Sequence, residues 1–329
     1  MATRRFHAGR HGILTRVTVA PAVVQTRALD RCLACGSNRI APLAFQYRWR
    51  DTLFPAAECH VCGMRFLAVQ PTGATIEDMY REEYFVTDFR CGRSDRPSFD
   101  EDAFRAENAG LLDAFQPYRG QGRLLDVGCA SGWLLKHARD RGWMGTGVEL
   151  SADAVRFARG LGLDVRHGTL EDAALPAASY DLVYMGDVLE HVPDCRATLV
   201  EVSRVLAPGG HLFLRGPITT NSIARNLALA VYGAMGRRLT LAEPPYHLWE
   251  FRPAPLRRLF AAVGLDVVRL EEAKIPPGNP HGAKTALQKA GLAVLDTVNL
   301  ALTRMFNRWG DRVVVVARRP ATGSPPFAA

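Results

Sequence analysis

The sequence has no uninterrupted apolar run of about eighteen residues, the length that a membrane-spanning helix requires. Its first 31 residues also lack the continuous apolar core of a secretory signal, and they hold six arginines against one acid, Asp30. These charges give +5 of the net +8, so the other residues together carry only +3. We therefore expect a cytoplasmic protein with a disordered basic leader over residues 1–28, although an organelle transit peptide has a similar composition.

Cysteine is scarce, and four of the seven cysteines occur in two Cys-x-x-Cys pairs. The pairs are separated by 23 residues, and each is followed at once by a glycine, which tolerates the left-handed backbone of a zinc knuckle. Two knuckles close a tetrahedral site with no open position, which predicts a structural zinc in a ribbon over residues 29–70. Two disulfides or a redox motif are the alternatives, and His60 could replace one thiolate. The predicted zinc ligands are Cys32, Cys35, Cys59 and Cys62.

A zinc ribbon can also indicate a nucleic-acid-binding module. Phe45–Arg50 combines basic and aromatic residues, but its alternation is typical of a single strand rather than of a binding surface. We therefore expect no nucleic-acid partner. The remaining cysteines, Cys91, Cys129 and Cys195, are expected to be small buried side chains.

The most informative stretch is Leu124–Leu135, in which an apolar run ends in Asp126 and passes through small residues into a helical pattern. A strand that stops at such a loop lets a ligand approach bare backbone, and the amide groups at the helix start point at that ligand. About twenty residues later a short apolar strand ends in Glu149, which could accept hydrogen bonds from ribose hydroxyls. The pattern predicts a site for a nucleotide-like cofactor.

A nicotinamide site has a similar outline, so the glycine spacing must separate the two possibilities. The dinucleotide fingerprint G-x-G-x-x-G has a third glycine for close helix packing beside a pyrophosphate. Here the spacing is Gly128-x-Ala130-x-Gly132, and Trp133 stands where that glycine belongs. The carboxylate of Asp126 would also repel a phosphate, whereas it suits a cationic ligand. A nicotinamide-dependent oxidoreductase is therefore disfavoured.

The stretch Asp126–Gly132 resembles the first motif of the class I S-adenosylmethionine-dependent methyltransferases, with Ala130 in place of the middle glycine. The resemblance extends over roughly residues 111–320 and implies S-adenosylmethionine as the cofactor. Later stretches resemble further motifs of the family in the same order, namely His167–Asp172, Tyr180–Val183, Val188–Val192 and Val205–Leu212. The cofactor contacts that the resemblance implies are Asp126, Val127, Gly128, Cys129, Ala130, Gly132, Glu149, Leu150, Thr169, Leu170, Glu171 and Gly186.

The order of predicted elements indicates a Rossmann-like α/β domain over residues 111–320, with a mostly parallel sheet and helices on both faces. The resemblance implies seven strands, of which the last is antiparallel. A helical linker over 71–110 would join this domain to the ribbon, and 321–329 would form a disordered tail. The strands are predicted at 123–127, 145–149, 163–167, 180–185, 210–215, 265–270 and 312–318.

Two stretches exceed what such a domain needs, residues 218–249 and about 275–311. Each contains an amphipathic helical pattern. Our first expectation is that both pack on the domain as a lid over the substrate cleft, and a homodimer seam or a peripheral membrane contact are the alternatives. The apolar stripe of the second stretch comprises Leu287, Val294, Val298, Leu302 and Met305.

Methyl transfer from a sulfonium is an in-line displacement, so the protein must hold the acceptor close and aligned. If the acceptor is a hydroxyl, a base has to take its proton, and the candidates are His191 and His247. The array Asp187-x-x-Glu190-His191 also resembles that of the quinone O-methyltransferases, in which a divalent metal is held near the acceptor. A purely structural network in this loop is the alternative to both roles.

The sequence thus predicts methyl transfer from S-adenosylmethionine to a hydroxyl of a small molecule or glycan. C- or N-methylation of a sugar or other metabolite is the alternative within the same class. The stretch Ile76–Phe85 resembles the linker helix of methyltransferases that carry an N-terminal zinc ribbon. Those relatives commonly modify sugars, glycans or natural products. A nucleic-acid methyltransferase and a non-catalytic protein that keeps the fold are further alternatives, and the intact Asp126, Gly128 and Glu149 argue against the last of these.

Overall fold

A seven-stranded sheet forms the larger part of the computed structural model, which describes residues 23–79, 101–274 and 286–321. The strands in chain order are β1 (Thr26–Ala28), β2 (Ile40–Trp49), β3 (Thr52–Cys59), β4 (Arg65–Leu67), β5 (Val69–Pro71), β6 (Arg123–Val127), β7 (Met144–Glu149), β8 (Asp164–His167), β9 (Tyr180–Gly186), β10 (Leu206–Pro217), β11 (Leu239–Leu241), β12 (Trp249–Glu250), β13 (Asp266–Ala273) and β14 (Arg312–Arg318). The helices are α1 (Gly73–Met79), α2 (Glu101–Phe115), α3 (Trp133–Asp140), α4 (Ala152–Gly160), α5 (Cys195–Val205), α6 (Ile223–Ala234), α7 (Pro253–Ala262) and α8 (Ala286–Phe306).

The large sheet has the strand order β13-β14-β10-β9-β6-β7-β8, and β14 runs antiparallel to both of its neighbours. Its central strands are buried along nearly their whole length, since β9 shows six consecutive buried residues and β6 four. Such continuous burial is typical of parallel strands that are covered on both faces. The predicted Rossmann-like α/β fold with a seven-stranded, mostly parallel sheet is therefore confirmed.

The predicted strand bounds agree with the structure to within a few residues, except in β10. This strand begins at Leu206 rather than at residue 210, because Leu206 already pairs with Tyr180 before an irregularity that ends at His211. Side-chain caps fix two of the helices that follow strands: Ser151 accepts from the amide of Ala154 at the start of α4, and Asp194 caps α5.

The ribbon forms a second sheet of five strands in the order β11-β2-β3-β4-β12. Its two outer strands come from the stretch that follows β10 in the large domain. The stretch 218–249, for which a lid was our first expectation, thus supplies β11 to the ribbon sheet and reaches the start of β12. Residues 26–28, which we placed in the leader, form β1 and pair with β5. The expected lid is therefore in part an extension of the ribbon.

One apolar core runs through both sheets. It includes Phe54 and Phe66 of the ribbon together with Leu125 and Val183 of the large sheet. Trp249 of β12 joins the two, because its ring lies 5.7 Å from that of Phe66 and its indole N–H donates to the carbonyl of Val192 at 2.7 Å. The ribbon is consequently packed into the large domain rather than tethered to it.

The described helices can also be tested against the requirement for a membrane span. None of those within residues 23–79, 101–274 and 286–321 combines the length and the apolar character that crossing a bilayer requires. The predicted leader up to residue 22, the middle of the predicted linker with Cys91, and the tail from residue 322 lie outside the described residues.

Candidate functional site

In the loop after β6, every second residue adopts the left-handed backbone conformation. Gly128, Ala130 and Gly132 have φ of 73°, 47° and 78°. A Cβ on Gly128 would lie 2.5 Å from a methyl of Val188, and one on Gly132 would lie 2.6 Å from a methyl of Leu163. Both glycines are therefore required by backbone and by space, whereas Ala130 occupies a conformation that disfavours any side chain.

Two acids stand at the carboxyl ends of the neighbouring parallel strands β6 and β7. Asp126 is 3% exposed, and burial together with the charge of Glu149 raises its pKa to about 8. Glu149 accepts hydrogen bonds from the amides of Ala130 and Ser151 at 3.0 and 2.8 Å. Burial raises the pKa of Glu149 as well, although these amides oppose the shift. The pair creates a buried site that favours a cationic ligand.

An open cleft lies directly against this loop. One wall is the loop itself with Asp126, and the other is helix α2, most of which falls in the predicted linker over residues 71–110. The apolar residues of α2 recur with a helical period, so the sequence indicates the helix itself although not the cleft that it lines. The lining residues are Phe104, Glu107, Asn108, Leu111, Asp126, Gly128, Cys129, Ala130, Ser131, Trp133, Leu134, Tyr184 and Arg215.

Two polar groups in the cleft have unused hydrogen-bonding capacity. The Nε of Arg215 and the hydroxyl of Ser131 are buried and have no hydrogen-bond partner among the described residues. Arg215 donates through Nη2 to Glu107 at 3.2 Å, so it is held in place while Nε stays available. A buried donor without a partner is costly, which indicates a site completed by a bound group. No motif in the sequence pointed to Arg215.

The other residues predicted to contact the cofactor lie around Glu149 and the ends of β8 and β9 rather than in the lining of this cleft. Leu150 is 55% exposed and its carbonyl interacts with the ring of His167 at 3.0 Å, whereas Val127 and Leu170 are buried. Thr169 exchanges hydrogen bonds with Asp172, and the carboxylate of Glu171 accepts from Thr198 at 2.7 Å. Gly186 ends β9.

The two histidines predicted as bases lie together although 55 residues separate them in the chain. Their ring centroids are 5.0 Å apart, and Glu190 lies beside them, with its Oε1 3.7 Å from Nε2 of His191. One ligand atom from each of Glu190, His191 and His247 falls within 4.8 Å of the others. The ring of His191 is fixed by a contact of 2.8 Å between Nδ1 and the carbonyl of Tyr246.

Burial sets the protonation of this cluster. It raises the pKa of Glu190 to about 8, with the charge of Asp187 as the second cause. It lowers the pKa of His191, and it lowers that of His247 to about 3 with help from the neighbouring His191 and Arg312. Both imidazoles are therefore neutral near pH 7, the form that can accept a proton or bind a metal.

Asp187 does not join this cluster. Arg312 holds its carboxylate with two contacts of 2.6 and 2.8 Å, and its φ of 56° turns the backbone at the end of β9. In the structure the third residue of the possible metal-binding cluster is His247, from the segment before β12, instead of the predicted Asp187. The sequence pattern could not predict the contact with His247, because the two segments are far apart in the chain.

The four cysteines of the ribbon converge as the spacing predicted. Their sulfur atoms all lie within 4.8 Å of one another, and two of the pairs, Cys32–Cys62 and Cys35–Cys59, are 3.6 Å apart. None of the four is disulfide-bonded, which argues against the alternative of two disulfides. Gly36 and Gly63 adopt φ of 77° and 75° and donate to the carbonyls of Cys32 and Cys59. His60 is exposed and is not part of the cluster.

Comparison with known proteins gives three findings. The model of the family described as "Methyltransferase domain" matches residues 99–270, just over half of the chain. A ubiquinone biosynthesis O-methyltransferase of Xanthomonas axonopodis pv. citri (strain 306) is 36% identical over 153 residues, which cover 44% of this chain and 63% of that protein. A second of the same name, from Aromatoleum aromaticum, is 30% identical over 159 residues, 45% of this chain and 65% of that protein.

A solved structure of a SAM-dependent methyltransferase from Archaeoglobus fulgidus aligns with a TM-score of 0.48 at 18% identity, covering 72% of this chain and all of that one. The chain covers 63% and 65% of the two curated relatives described above, which is less than two thirds of their length.

Proposed function

Because the chain belongs to the methyltransferase domain family, we propose that it transfers a methyl group from S-adenosylmethionine to a hydroxyl of a small molecule. The observation that carries the proposal is the buried acid pair, Asp126 and Glu149, at the mouth of a loop that brings backbone amides to the cleft. This arrangement suits a positively charged adenosyl donor and is unsuited to a pyrophosphate.

The chain has a group of the right charge for each end of such a donor. Glu149 at the tip of β7 would accept from the ribose hydroxyls, and Asp126 would face the cationic part. The free Nε of Arg215 and the hydroxyl of Ser131 would serve the carboxylate. When bound, the donor supplies an electrophilic methyl group on a sulfonium. The protein then has to position the acceptor and manage its proton.

His191 is the residue that we propose as the base. A carbonyl can only accept, so the contact with Tyr246 places the proton of His191 on Nδ1 and leaves the lone pair on Nε2. Burial keeps the ring neutral near pH 7. Nε2 would therefore take the proton of the acceptor hydroxyl, while His247 packs against the ring and fixes its orientation. Glu190 lies next to Nε2, and its pKa of about 8 leaves it mostly protonated before the reaction, so it would stabilise the imidazolium by giving up its own proton as that charge forms.

The O-methyl transfer in the names of the relatives favours oxygen over carbon or nitrogen as the atom methylated. The alignments cover less than two thirds of these relatives, so their acceptors are not transferred to this chain. The acceptor has to be proposed from the residues of this chain. The first candidate acceptor is a phenolic or other small-molecule hydroxyl. The second is a glycan hydroxyl, or a carbon or nitrogen atom of a sugar. The zinc ribbon, which is packed beside the His191 cluster, favours this second candidate.

The ribbon is proposed to hold one structural zinc through Cys32, Cys35, Cys59 and Cys62. A tetrahedral site with zinc–sulfur bonds of about 2.3 Å puts its sulfur atoms about 3.8 Å apart. The observed separations of 3.6 Å within the two crossed pairs fit that geometry. With all four positions filled by protein, the ion would have no place for a substrate.

The experiment that tests the reaction uses the full chain with methyl-labelled S-adenosylmethionine and separate pools of phenols, sugars and glycans. Label on a hydroxyl oxygen of a small molecule supports the proposal. Label on carbon or nitrogen of a sugar supports the alternative instead. A protein that binds the donor but labels no pool, and that also turns over no nicotinamide substrate, would contradict catalysis and leave a scaffold.

A further inference from the structure

Helix α8 is oriented with its polar residues inward and its apolar residues outward. Asn299 and Thr303 are 2% and 3% exposed, and Asn299 donates to the carbonyl of Trp309 at 2.8 Å. On the other side Val294 and Met305 are 63% and 69% exposed. The apolar stripe that was expected to pack on the domain therefore faces solvent where it is described. Such an inversion is typical of a surface that meets an apolar partner.

Helix α6 extends the same surface, since it packs beside α8. Only Leu229 is buried among its residues, and every residue from 230 to 238 is exposed. Of the seventeen exposed large apolar side chains in the described part of the chain, ten lie on these two helices or just after them. The patch comprises Leu227, Val231, Tyr232, Met235, Val294, Leu295, Val298, Met305, Phe306 and Trp309. Scattered exposure would need no explanation, but this concentration does.

The charges around the patch are almost all positive. Residues 223–241 and 286–309 contain six basic residues and one acidic residue. Arg237, Arg238 and Arg304 are exposed and form no ion pair with any residue that the structure describes, and Arg308 is exposed near the carboxylate of Glu272. A second copy of this chain would bring an equally positive surface to the contact, whereas an anionic bilayer would complement it.

We propose that α6 and α8 form a docking surface for the face of an anionic lipid bilayer. The apolar side chains would enter the boundary between headgroups and acyl chains, and the flanking arginines would contact lipid phosphates. Neither helix, where it is described, is long and apolar enough to cross the bilayer. Helix α6 begins six residues after β10 ends, beside the Thr219–Glu250 hydrogen bond of 2.9 Å. The proposal does not depend on the reaction.

The test is co-sedimentation of the full chain with vesicles of phosphatidylcholine alone and of phosphatidylcholine mixed with phosphatidylglycerol. We expect binding to the mixed vesicles that weakens as salt is raised. The triple variant Leu227→Gln, Val231→Gln, Met235→Gln should lose at least about tenfold in partitioning. The pair Arg237→Gln and Arg238→Gln should lose about fivefold per charge and with it the preference for the anionic lipid.

The matched control is Met144→Gln with Val200→Gln, two exposed apolar positions on β7 and α5, which should bind as the unchanged protein does. All variants alter exposed side chains, so their melting temperatures should stay within about 2 °C of the unchanged protein. Absence of binding to the mixed vesicles, or equal binding of the triple variant, overturns the proposal. A dimer in light scattering that the triple variant dissociates, without vesicle binding, would assign the surface to a second copy and overturn it as well.

Discussion

At the scale of single residues, the two acids of the cofactor site differ in what satisfies them. Glu149 already receives two backbone amides, whereas the pKa of Asp126 is raised mainly by burial and then by the charge of Glu149. Asp126 is therefore the group whose charge should depend most on the ligand. The sequence marked both positions, because acids that end neighbouring parallel strands are visible in the pattern.

Donor binding should consequently depend on pH. Without ligand Asp126 is protonated below a pKa of about 8, and a cationic ligand favours its ionised form, so binding releases a proton. The affinity for S-adenosylmethionine should rise with pH between 6 and 8, by up to about tenfold per unit. Titration calorimetry across this range measures it. The Asp126→Asn variant should bind the donor weakly at every pH, whereas the control Asp140→Asn, at an exposed position, should behave as the unchanged protein does. A donor affinity of the unchanged protein that does not vary with pH would contradict the account.

The histidines make a second prediction at this scale. His191→Asn should lower kcat by about 10²- to 10⁴-fold, the usual contribution of a general base, while leaving donor affinity unchanged. His247→Asn should have a smaller effect because it touches the ring of His191 rather than the proton. Steady-state kinetics with a hydroxyl acceptor check this, with the exposed His60→Asn as the control. Full activity of His191→Asn would remove the base from the mechanism.

At the scale of elements, the turn from β6 to α3 determines the shape of the cofactor site. The backbone alternates into the left-handed region at three positions, and only glycine fits two of them because Val188 and Leu163 occupy the space of a Cβ. The spacing of the glycines was readable from the sequence, but the wall opposite was not assigned. Helix α2 was placed in a linker because a helical period alone does not say what the helix packs against.

A pair of glycine substitutions tests this element. Gly128→Ala should destabilise the protein by about 1–3 kcal/mol, since its Cβ would meet Val188 at 2.5 Å and its φ is 73°, and it should weaken donor binding. Gly110→Ala, within α2, places its Cβ where nothing lies within 4 Å and should stabilise by about 0.5–1 kcal/mol. Denaturant melts measure both. A neutral Gly128→Ala would show that the loop is not held as described.

The ribbon provides a prediction that couples two elements. Elemental analysis should find one zinc per chain, and chelation should lower the melting temperature by about 10 °C or more. Activity should fall with it, because β12 belongs to the ribbon sheet and Leu248 and Trp249 hydrogen-bond to the carbonyl of Glu190. Cys59→Ser should reproduce the loss, and the unpaired buried Cys195→Ser should retain zinc. A metal-free protein with an unchanged melting curve would rule out the structural role.

At the scale of the whole molecule, features that depend on short stretches of sequence were predicted, whereas features that depend on long-range contacts were not. The order of strands, the acids and the four cysteines follow from short stretches, and they were predicted with their positions. The meeting of His191 with His247, the pairing of Asp187 with Arg312 and the use of residues 239–250 to complete the ribbon sheet depend on distant partners. The outward stripe of α8 was visible as periodicity, but periodicity does not say which face is inside.

The measurement that tests the central claim most directly is titration calorimetry of the full chain with S-adenosylmethionine and, separately, with NAD. The account predicts one site per chain for S-adenosylmethionine, none for NAD, and loss of the site when Asp126 and Glu149 are both replaced by alanine in a protein that still melts cooperatively. Binding of NAD in place of the sulfonium, or donor binding that survives the double replacement, would contradict it.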